Sequence, residues 1–337
     1  MKILVTGGCG FIGSAFIRNV LGSRTDVSIV NLDKLTYAGN PRNVAEAADS
    51  PSYRFVLGDI CDPSAVAGAM AGCDVVVNFA AETHVDRSLL GDASFIDTDV
   101  KGVFVLLEEA KRLGVKKFIQ ISTDEVYGSI ESGSFTEDSK LTPRNPYSAS
   151  KAGGDRLAYS YWASYGVPVV ITRASNNYGP YQYPEKLIPL FVTNALDDLP
   201  VPLYGDGRNV RDWLHVDDHA AAVEFLIDRG EPGEVYNVAG GNETENVEIT
   251  KKILRILGKP ESLIRRVDDR SGHDRRYSLD AGKLARAGFS PKRRFEEALE
   301  STVAWYVEHP EWWRPIKDHD PHYREYYKTQ YSGRLGT

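Results

Sequence analysis

The first thirteen residues constrain this chain most. A short apolar strand pattern, Lys2–Thr6, runs directly into Gly7-Gly8-Cys9-Gly10-Phe11-Ile12-Gly13, and a helical pattern over Phe11–Leu21 follows without a linker. Glycines at 7, 10 and 13 let a strand turn sharply into a helix and let a charged group approach bare backbone. A glycine triplet alone is weak evidence, because any tight strand-to-helix turn could use one. Here a strand precedes it, a helix follows, and an acid, Asp33, ends the next strand about 20 residues on. That context is the dinucleotide fingerprint. Gly7, Gly10, Phe11, Ile12 and Gly13 would cradle a pyrophosphate at the helix N-terminus, where N–H donors and the helix dipole favour an anion. A carboxylate at Asp33 accepts from ribose hydroxyls and repels a 2′-phosphate, which favours NAD over NADP. Asp59 and Ile60 end the third strand, where an adenine would lie, although a turn acid and a core residue read as well there.

The rest of the first half repeats the alternation. Strands read at Val27–Asp33, Arg54–Gly58, Val75–Ala80, Lys117–Ser122 and Pro168–Arg173, with helical patterns at Phe95–Leu113 and Pro146–Tyr165. Short apolar strands alternating with amphipathic helices predict a parallel sheet covered on both faces. With right-handed crossovers this becomes an α/β, doubly wound Rossmann-type fold. After Ala174 the pattern loosens: Pro180, Pro184, Pro189, Pro200 and Pro202 interrupt it, and Tyr-Gly-Asp-Gly at 204–207 reads as a turn. We expect a cofactor-binding domain over 1–174 and a smaller substrate-binding domain over 175–337. A return strand near 234–239 would interleave the two.

Composition sets outer bounds. With 337 residues the chain can bury a large core. A net charge of −7 argues against a general nucleic-acid binder, though not against a local basic pocket. Cys9, Cys61 and Cys73 show no C-x-x-C spacing and read as reduced thiols, Cys9 and Cys73 as small packing residues. The chain opens on a strand with no charged-then-apolar leader, and no apolar run approaches the roughly 20 residues that span a bilayer. The expectation is a soluble cytoplasmic protein with no membrane partner. No metal-ligand spacing links the seven histidines, so no metal is expected.

Two clusters carry chemistry. Tyr147 and Lys151 stand four residues apart in the helical segment that starts after Asn145-Pro146, which puts them on one face. An ammonium beside a phenol lowers its pKa from about 10, so a tyrosinate can take an alcohol proton. An exposed helix pair would show the same spacing. Thr123-Asp124-Glu125 follow the Lys117–Ser122 strand. Ser122 or Thr123 could cap a helix whose first turn holds the acids, but Val126-Tyr127-Gly128-Ser129 reads as extended and turn-rich. Two carboxyls in one partly buried site cannot both ionise cheaply, so one should keep its proton and the pair would supply an acid and a base.

Together these residues resemble the extended short-chain dehydrogenase/reductases and, more narrowly, the dTDP-glucose 4,6-dehydratase family over nearly the whole chain. The resemblance lies in T-G-G-C-G-F-I-G at 6–13, L-D-K-L-T-Y-A-G-N at 32–40, F-A-A-E-T-H-V-D-R-S at 79–88 and I-S-T-D-E-V-Y-G at 121–128. It continues in N-P-Y-S-A-S-K-A at 145–152, S-N-N-Y-G-P-Y-Q-Y-P-E-K-L-I-P-L at 175–190, V-R-D-W-L-H-V-D-D-H at 210–219 and D-R-S-G-H-D-R-R-Y at 269–277. The resemblance implies that NAD is also met by Lys34, Thr36, Ala80, Ala81, Thr98 and Asn177, besides Tyr147 and Lys151. It implies that Tyr147 deprotonates the sugar C4 hydroxyl, with Thr123 on the same oxygen, while Glu125 removes the C5 proton and Asp124 protonates the leaving C6 hydroxyl. The nucleotide sugar would be met by Thr83, His84, Thr123, Asn176, Lys186, Leu187, Pro202, Leu203, Tyr204, Arg211, Asn246, Arg270, His273 and Tyr277. A guanidinium fork suits a diphosphate, although the arginines of 265–276 interleave with aspartates and could equally form a solvated loop. The resemblance leaves dTDP and UDP both open, and it places the product in the formation of rhamnose or another deoxysugar. A nucleotide-sugar 4-epimerase or a UDP-sugar decarboxylase would share Tyr147 and Lys151 without needing the acid pair. A non-catalytic NAD sensor is the remote alternative. Asp99 departs from the family's frequent Thr-Asn pair, and Thr83 stands where serine is common. Phe95–Leu113 and Pro146–Tyr165 could form a four-helix homodimer interface, as in relatives. Trp305, Trp312, Trp313, Tyr326, Tyr327 and Tyr331 are expected to pack on the second domain.

Overall fold

The computed structural model describes residues 1–91 and 93–333. Its centre is a seven-stranded sheet of β1 (Lys2–Thr6), β2 (Ser28–Asp33), β3 (Tyr53–Leu57), β4 (Val75–Asn78), β5 (Lys117–Thr123), β6 (Val169–Ala174) and β10 (Val235–Val238). The spatial order is β3-β2-β1-β4-β5-β6-β10, and every neighbouring pair is parallel. The inner strands are rich in β-branched residues because both their faces are buried, whereas the edge strand β3 leaves Phe55 and Leu57 exposed. Ile3 and Val5 point into a core shared with Phe16, Ile17 and Val20 of the helix Phe11–Ser23 and with Val223 and Leu226 of the helix Val216–Arg229. Leu4 points the other way, toward Leu106, Leu107 and Ala158. Each such side chain contributes about 1.5–3 kcal/mol when fully buried. The strand order reverses direction between β1 and β4, so a crevice opens at their C-terminal ends.

Between β6 and β10, and again after β10, the chain leaves this sheet. β7 (Asn176–Tyr178), β9 (Val210–His215) and β11 (Glu243–Glu245) form a three-stranded sheet, and β8 (Val201–Tyr204) pairs in parallel with β12 (Ile264–Val267). The helices Leu187–Leu196, Asn246–Ile256 and Phe295–Glu308 enclose a second core around Phe191, Ile249, Ile253, Leu299 and Tyr306. The aromatic tail packs on it. The Trp313 indole donates to the Tyr306 carbonyl at 2.7 Å, while Trp312 reaches across to Asn43 at 2.9 Å. Cys9 and Cys73 are buried free thiols, and burial together with the charge of Asp33 pushes the Cys9 thiol up to about 12.

Two segments differ from the sequence expectation. The stretch read as one helix over Phe95–Leu113 begins at Ser94 and carries a π-helical segment, Asp97–Gly102, before regular helix over Val103–Leu113. The stretch after β5, read as extended, is a short 3₁₀ helix, Asp124–Tyr127, capped by the Thr123 side chain on the Glu125 N–H at 3.2 Å. The capping arrangement therefore prevails over the turn-like local sequence. Val126 and Tyr127 are buried core residues, and Tyr127 is fixed by a 2.8 Å bond to Asn237 and by stacking on Phe135.

Candidate active site

At the switch point the fingerprint is built from backbone. Gly7 adopts φ +67°, and a Cβ there would stand 2.7 Å from the Ala80 backbone. A Cβ on Gly13 would stand 2.4 Å from the Gly7 carbonyl oxygen, so the helix can approach the strand end only with glycine present. Gly10 caps the helix without a side chain, leaving the first-turn N–H groups of Phe11, Ile12 and Gly13 without a side-chain acceptor at the wall of the cleft. Asp33 braces this turn: one oxygen accepts from Cys9 N and the other from Leu35 N, both at 2.8 Å. Burial pushes its carboxyl up against those two bonds. Lys34 pairs with Asp59 at 2.9 Å beside it. A glycine cradle, a free helix N-terminus and a braced strand-end acid fit an NAD molecule.

The reacting groups sit on two neighbouring elements. The helix Pro146–Tyr165 starts where sequence reading put it, because Asn145 and Ser148 form a capping box and Pro146 occupies the first helical position. That start sets Tyr147 in the first turn and Lys151 one turn on, facing Thr123, Asp124 and Glu125 at the end of β5. Thr123 donates to Asp124 Oδ1 at 3.0 Å, while Asp124 Oδ2 is buried without a partner. Burial and then the Glu125 charge raise the Asp124 carboxyl to about 8, so it holds a proton at neutral pH. Burial also raises Glu125, against the opposing pull of Arg270, Arg211 and Lys186.

The Tyr147 phenol departs from expectation. Burial, then Glu125, Asp99 and Asp124, push it well above its ordinary value, against a hydrogen bond with Thr123 that pulls it down. Lys151 instead donates to the Ile121 carbonyl at 2.8 Å; burial lowers its ammonium, and Asp99 and Asp155 support it. Asp99 lies beneath this pair. It accepts from Ser150 Oγ at 2.6 Å and from Glu82 N at 3.2 Å, and burial raises it to about 6 against the attraction of Lys151.

The second body closes the cleft. Thr83, His84, Asn176, Asn177, Lys186, Leu187, Pro202, Leu203, Tyr204, Arg211, Asn246, Arg270 and His273 line the same crevice as Thr36, Ile60, Ala80, Ala81 and Thr98. Lys186 Nζ reaches Thr83 Oγ1 at 3.3 Å, and Arg211 donates to the Asp274 carbonyl at 2.9 Å. His84 holds φ +95°, a conformation a non-glycine residue adopts only where its surroundings impose it. His84 Nδ1, Asn176 Oδ1, Asn246 Oδ1 and Arg270 Nε are buried without partners, so the wall presents both donors and acceptors to a polar ligand. Tyr277 is the exception among the residues singled out in the sequence. It does not line the cleft, because its hydroxyl turns to Asp274 at 2.7 Å and stands behind Glu125 at 3.4 Å, with Arg211 over its ring.

Several wall residues were not singled out in the sequence, among them four polar ones. Glu185 is held by Tyr37 and Arg87, both at 2.9 Å, and His219 meets Asn177 at 2.9 Å, with burial lowering its imidazole to about 4. Asp86 and Tyr331 line the cleft as well. Asp86 and Glu185 both lay inside motifs already noted, where an acid beside a basic residue was the available signal. Nothing local marked Tyr331. Among the described residues, no group of three or more His, Cys, Asp or Glu side chains could hold a metal ion, and no helix is long and apolar enough to cross a membrane.

A Rossmann sheet, a glycine cradle and a tyrosine–lysine pair in one crevice define an NAD-dependent short-chain dehydrogenase/reductase of the extended type. Residues 4–302 match the family described as GDP-mannose 4,6 dehydratase. The chain is 51% identical to a dTDP-glucose 4,6-dehydratase of Streptomyces niveus, over 95% of this chain and 97% of that one. It is 44% identical to dTDP-glucose 4,6-dehydratase 1 of Escherichia coli K12, over 99% and 100%. The crystal structure of the Streptomyces venezuelae dTDP-glucose 4,6-dehydratase with NAD bound superposes with a TM-score of 0.92 at 51% identity, covering 94% of this chain and all of that one. The chain belongs to the dTDP-glucose 4,6-dehydratase family.

Proposed function

We infer that the protein converts dTDP-D-glucose to dTDP-4-keto-6-deoxy-D-glucose and water. The observation that carries this reading is the Asp124–Glu125 pair beside Tyr147, with one carboxyl protonated at neutral pH. A 4-epimerase needs no such pair. Bound NAD supplies the hydride acceptor for C4, the later hydride donor for C6, and a positive charge that favours ionised Tyr147. Tyr147 takes the proton of the C4 hydroxyl, Thr123 bonds the same oxygen, and the buried Lys151 ammonium favours the phenolate and binds the cofactor's ribose. The ketone acidifies the C5 proton, which Glu125 removes. Asp124 gives its proton to the departing C6 hydroxyl and water leaves; return of the hydride to C6 and of a proton to C5 then completes the product with no net oxidation. Because Asp124 must be protonated and Glu125 ionised, turnover should fall as pH rises through about 8 and should also fall in acid, where Glu125 takes up its proton.

Arg211 and Arg270 suit the diphosphate, and Pro202, Leu203, Tyr204 and His273 suit the base. In this reading residues 1–174, with the strand Val235–Val238, hold the cofactor, and most of 175–337 holds the nucleotide sugar. The outer faces of the two helices expected to pair carry exposed Ile96, Phe104, Tyr159 and Tyr165, which supports a homodimer through them. The test is turnover of dTDP-glucose, UDP-glucose and GDP-mannose without added NAD, with the 4-keto product read in alkali. We expect product from dTDP-glucose first. Product from none of the three would refute the reading.

A further inference from the structure

Asp86 belongs to neither the glycine cradle nor the reacting groups, yet it is a buried charge on which distant parts of the chain converge. It is 5% exposed. Oδ1 accepts from Arg270 Nη1 at 2.7 Å. Oδ2 accepts from the Tyr204 hydroxyl at 2.8 Å, the Tyr326 hydroxyl at 3.2 Å and Gln330 Nε2 at 3.4 Å. Gln330 also donates to the Tyr204 hydroxyl, which lies 3.5 Å from that of Tyr331. Tyr331, Tyr204 and Arg270 all line the cleft. One carboxylate thus joins the turn after β4, the end of β8, the 269–274 loop and the C-terminal segment.

We propose that Asp86 is a positioning residue for the nucleotide diphosphate: it fixes the plane of Arg270 and holds the C-terminal turn bearing Tyr331 as a wall of the nucleotide site. This proposal rests on the nucleotide-sugar reading above. A guanidinium is planar, so holding Nη1 aims the donors that remain. Arg270 Nε is buried with no protein partner, and the side chain, 18% exposed, lines the cleft. Burial pushes the Asp86 carboxyl up, but His84, Arg270 and the hydrogen bonds outweigh it, and the group stays ionised well below the usual range. Stability alone does not account for such a residue, since apolar replacements of buried ion pairs are often neutral or stabilising. What the charge supplies here is geometry. A free Arg270 would swing among rotamers, and the C-terminal turn would lose the acceptor that Tyr326 and Gln330 share.

The test measures the Kd for dTDP, together with KM and kcat for dTDP-glucose, in the full-length wild type, Asp86→Asn and Tyr326→Phe. Asp86→Asn should raise the Kd for dTDP and the KM at least about tenfold, with kcat falling far less, because the reacting groups are untouched. Tyr326→Phe removes one neutral donor and should raise both about two- to fivefold. A residue that served packing alone would lower the melting temperature without moving the Kd of the folded fraction. An unchanged Kd in folded Asp86→Asn overturns the proposal; should that variant not fold, an unchanged Kd in Tyr326→Phe does so. A wild type that neither binds dTDP nor turns over dTDP-glucose refutes the functional reading instead.

Discussion

The two walls of the cleft are made of different materials. The cofactor wall is backbone: Gly7, Gly10 and Gly13 leave room for it, and the first-turn N–H groups of the helix Phe11–Ser23 form its donors. Its strand-end acid, Asp33, is held by two main-chain N–H groups. The wall proposed to meet the nucleotide sugar is side chain: Asp124, Glu125, Lys186, Arg211 and Arg270 are charged or titratable groups drawn from separate segments and buried together. A backbone wall recognises a phosphate wherever strand, turn and helix recur. A side-chain wall sets what is bound and what reaction follows, because burial moves each group's proton affinity against its neighbours' charges.

If the walls differ in this way, substitutions should fail differently on each. The largest effect is expected on the side-chain wall. Glu125→Gln removes the base for C5 and should lower dehydration by about 10²–10⁴-fold in a 4-keto product assay, with NAD still bound. On the backbone wall, Gly13→Ala inserts a methyl group 2.4 Å from a carbonyl oxygen that cannot move away. Overpacking of this kind costs about 1–3 kcal/mol, so NAD affinity in a titration of stripped enzyme should fall about 10–100-fold. The acid pair should keep its function once NAD is saturating. The smallest effect belongs beneath the site, at Asp99→Asn. An asparagine can still accept from Glu82 N and can donate to Ser150 Oγ, whose proton then goes to the Tyr147 carbonyl it already meets at 2.8 Å. Turnover should change by less than about tenfold. A larger loss would mean that the Asp99 charge, through Lys151, belongs to the reacting set.

The same contrast explains what could be read in the sequence. β1, the glycine turn and Asp33 are contiguous or follow at fixed spacing, so residue type and position together sufficed for the cofactor wall. The helix Pro146–Tyr165 was legible to its ends because its cap, Asn145-Pro146, and its terminator, Gly166 at φ +70°, are local. The short helix Asp124–Tyr127 was not, since Tyr127 is held by Asn237 and Phe135 rather than by its neighbours in sequence. The π-helical segment Asp97–Gly102 shifts hydrogen bonds without changing the apolar pattern. Asp86 was invisible as a hub, because its partners lie 118 to 244 residues away. The Tyr147 phenol was misjudged because spacing reported Lys151, whereas burial and three acids act on it more strongly.

The central claim is that the acid pair turns a transient oxidation into loss of water. Single-turnover reaction of Asp124→Asn with dTDP-glucose, followed through both nicotinamide reduction and 4-keto-6-deoxy product, tests it most directly. Reduction of the bound nicotinamide should persist while product formation falls at least about 100-fold. Product formed at a near wild-type rate would contradict it.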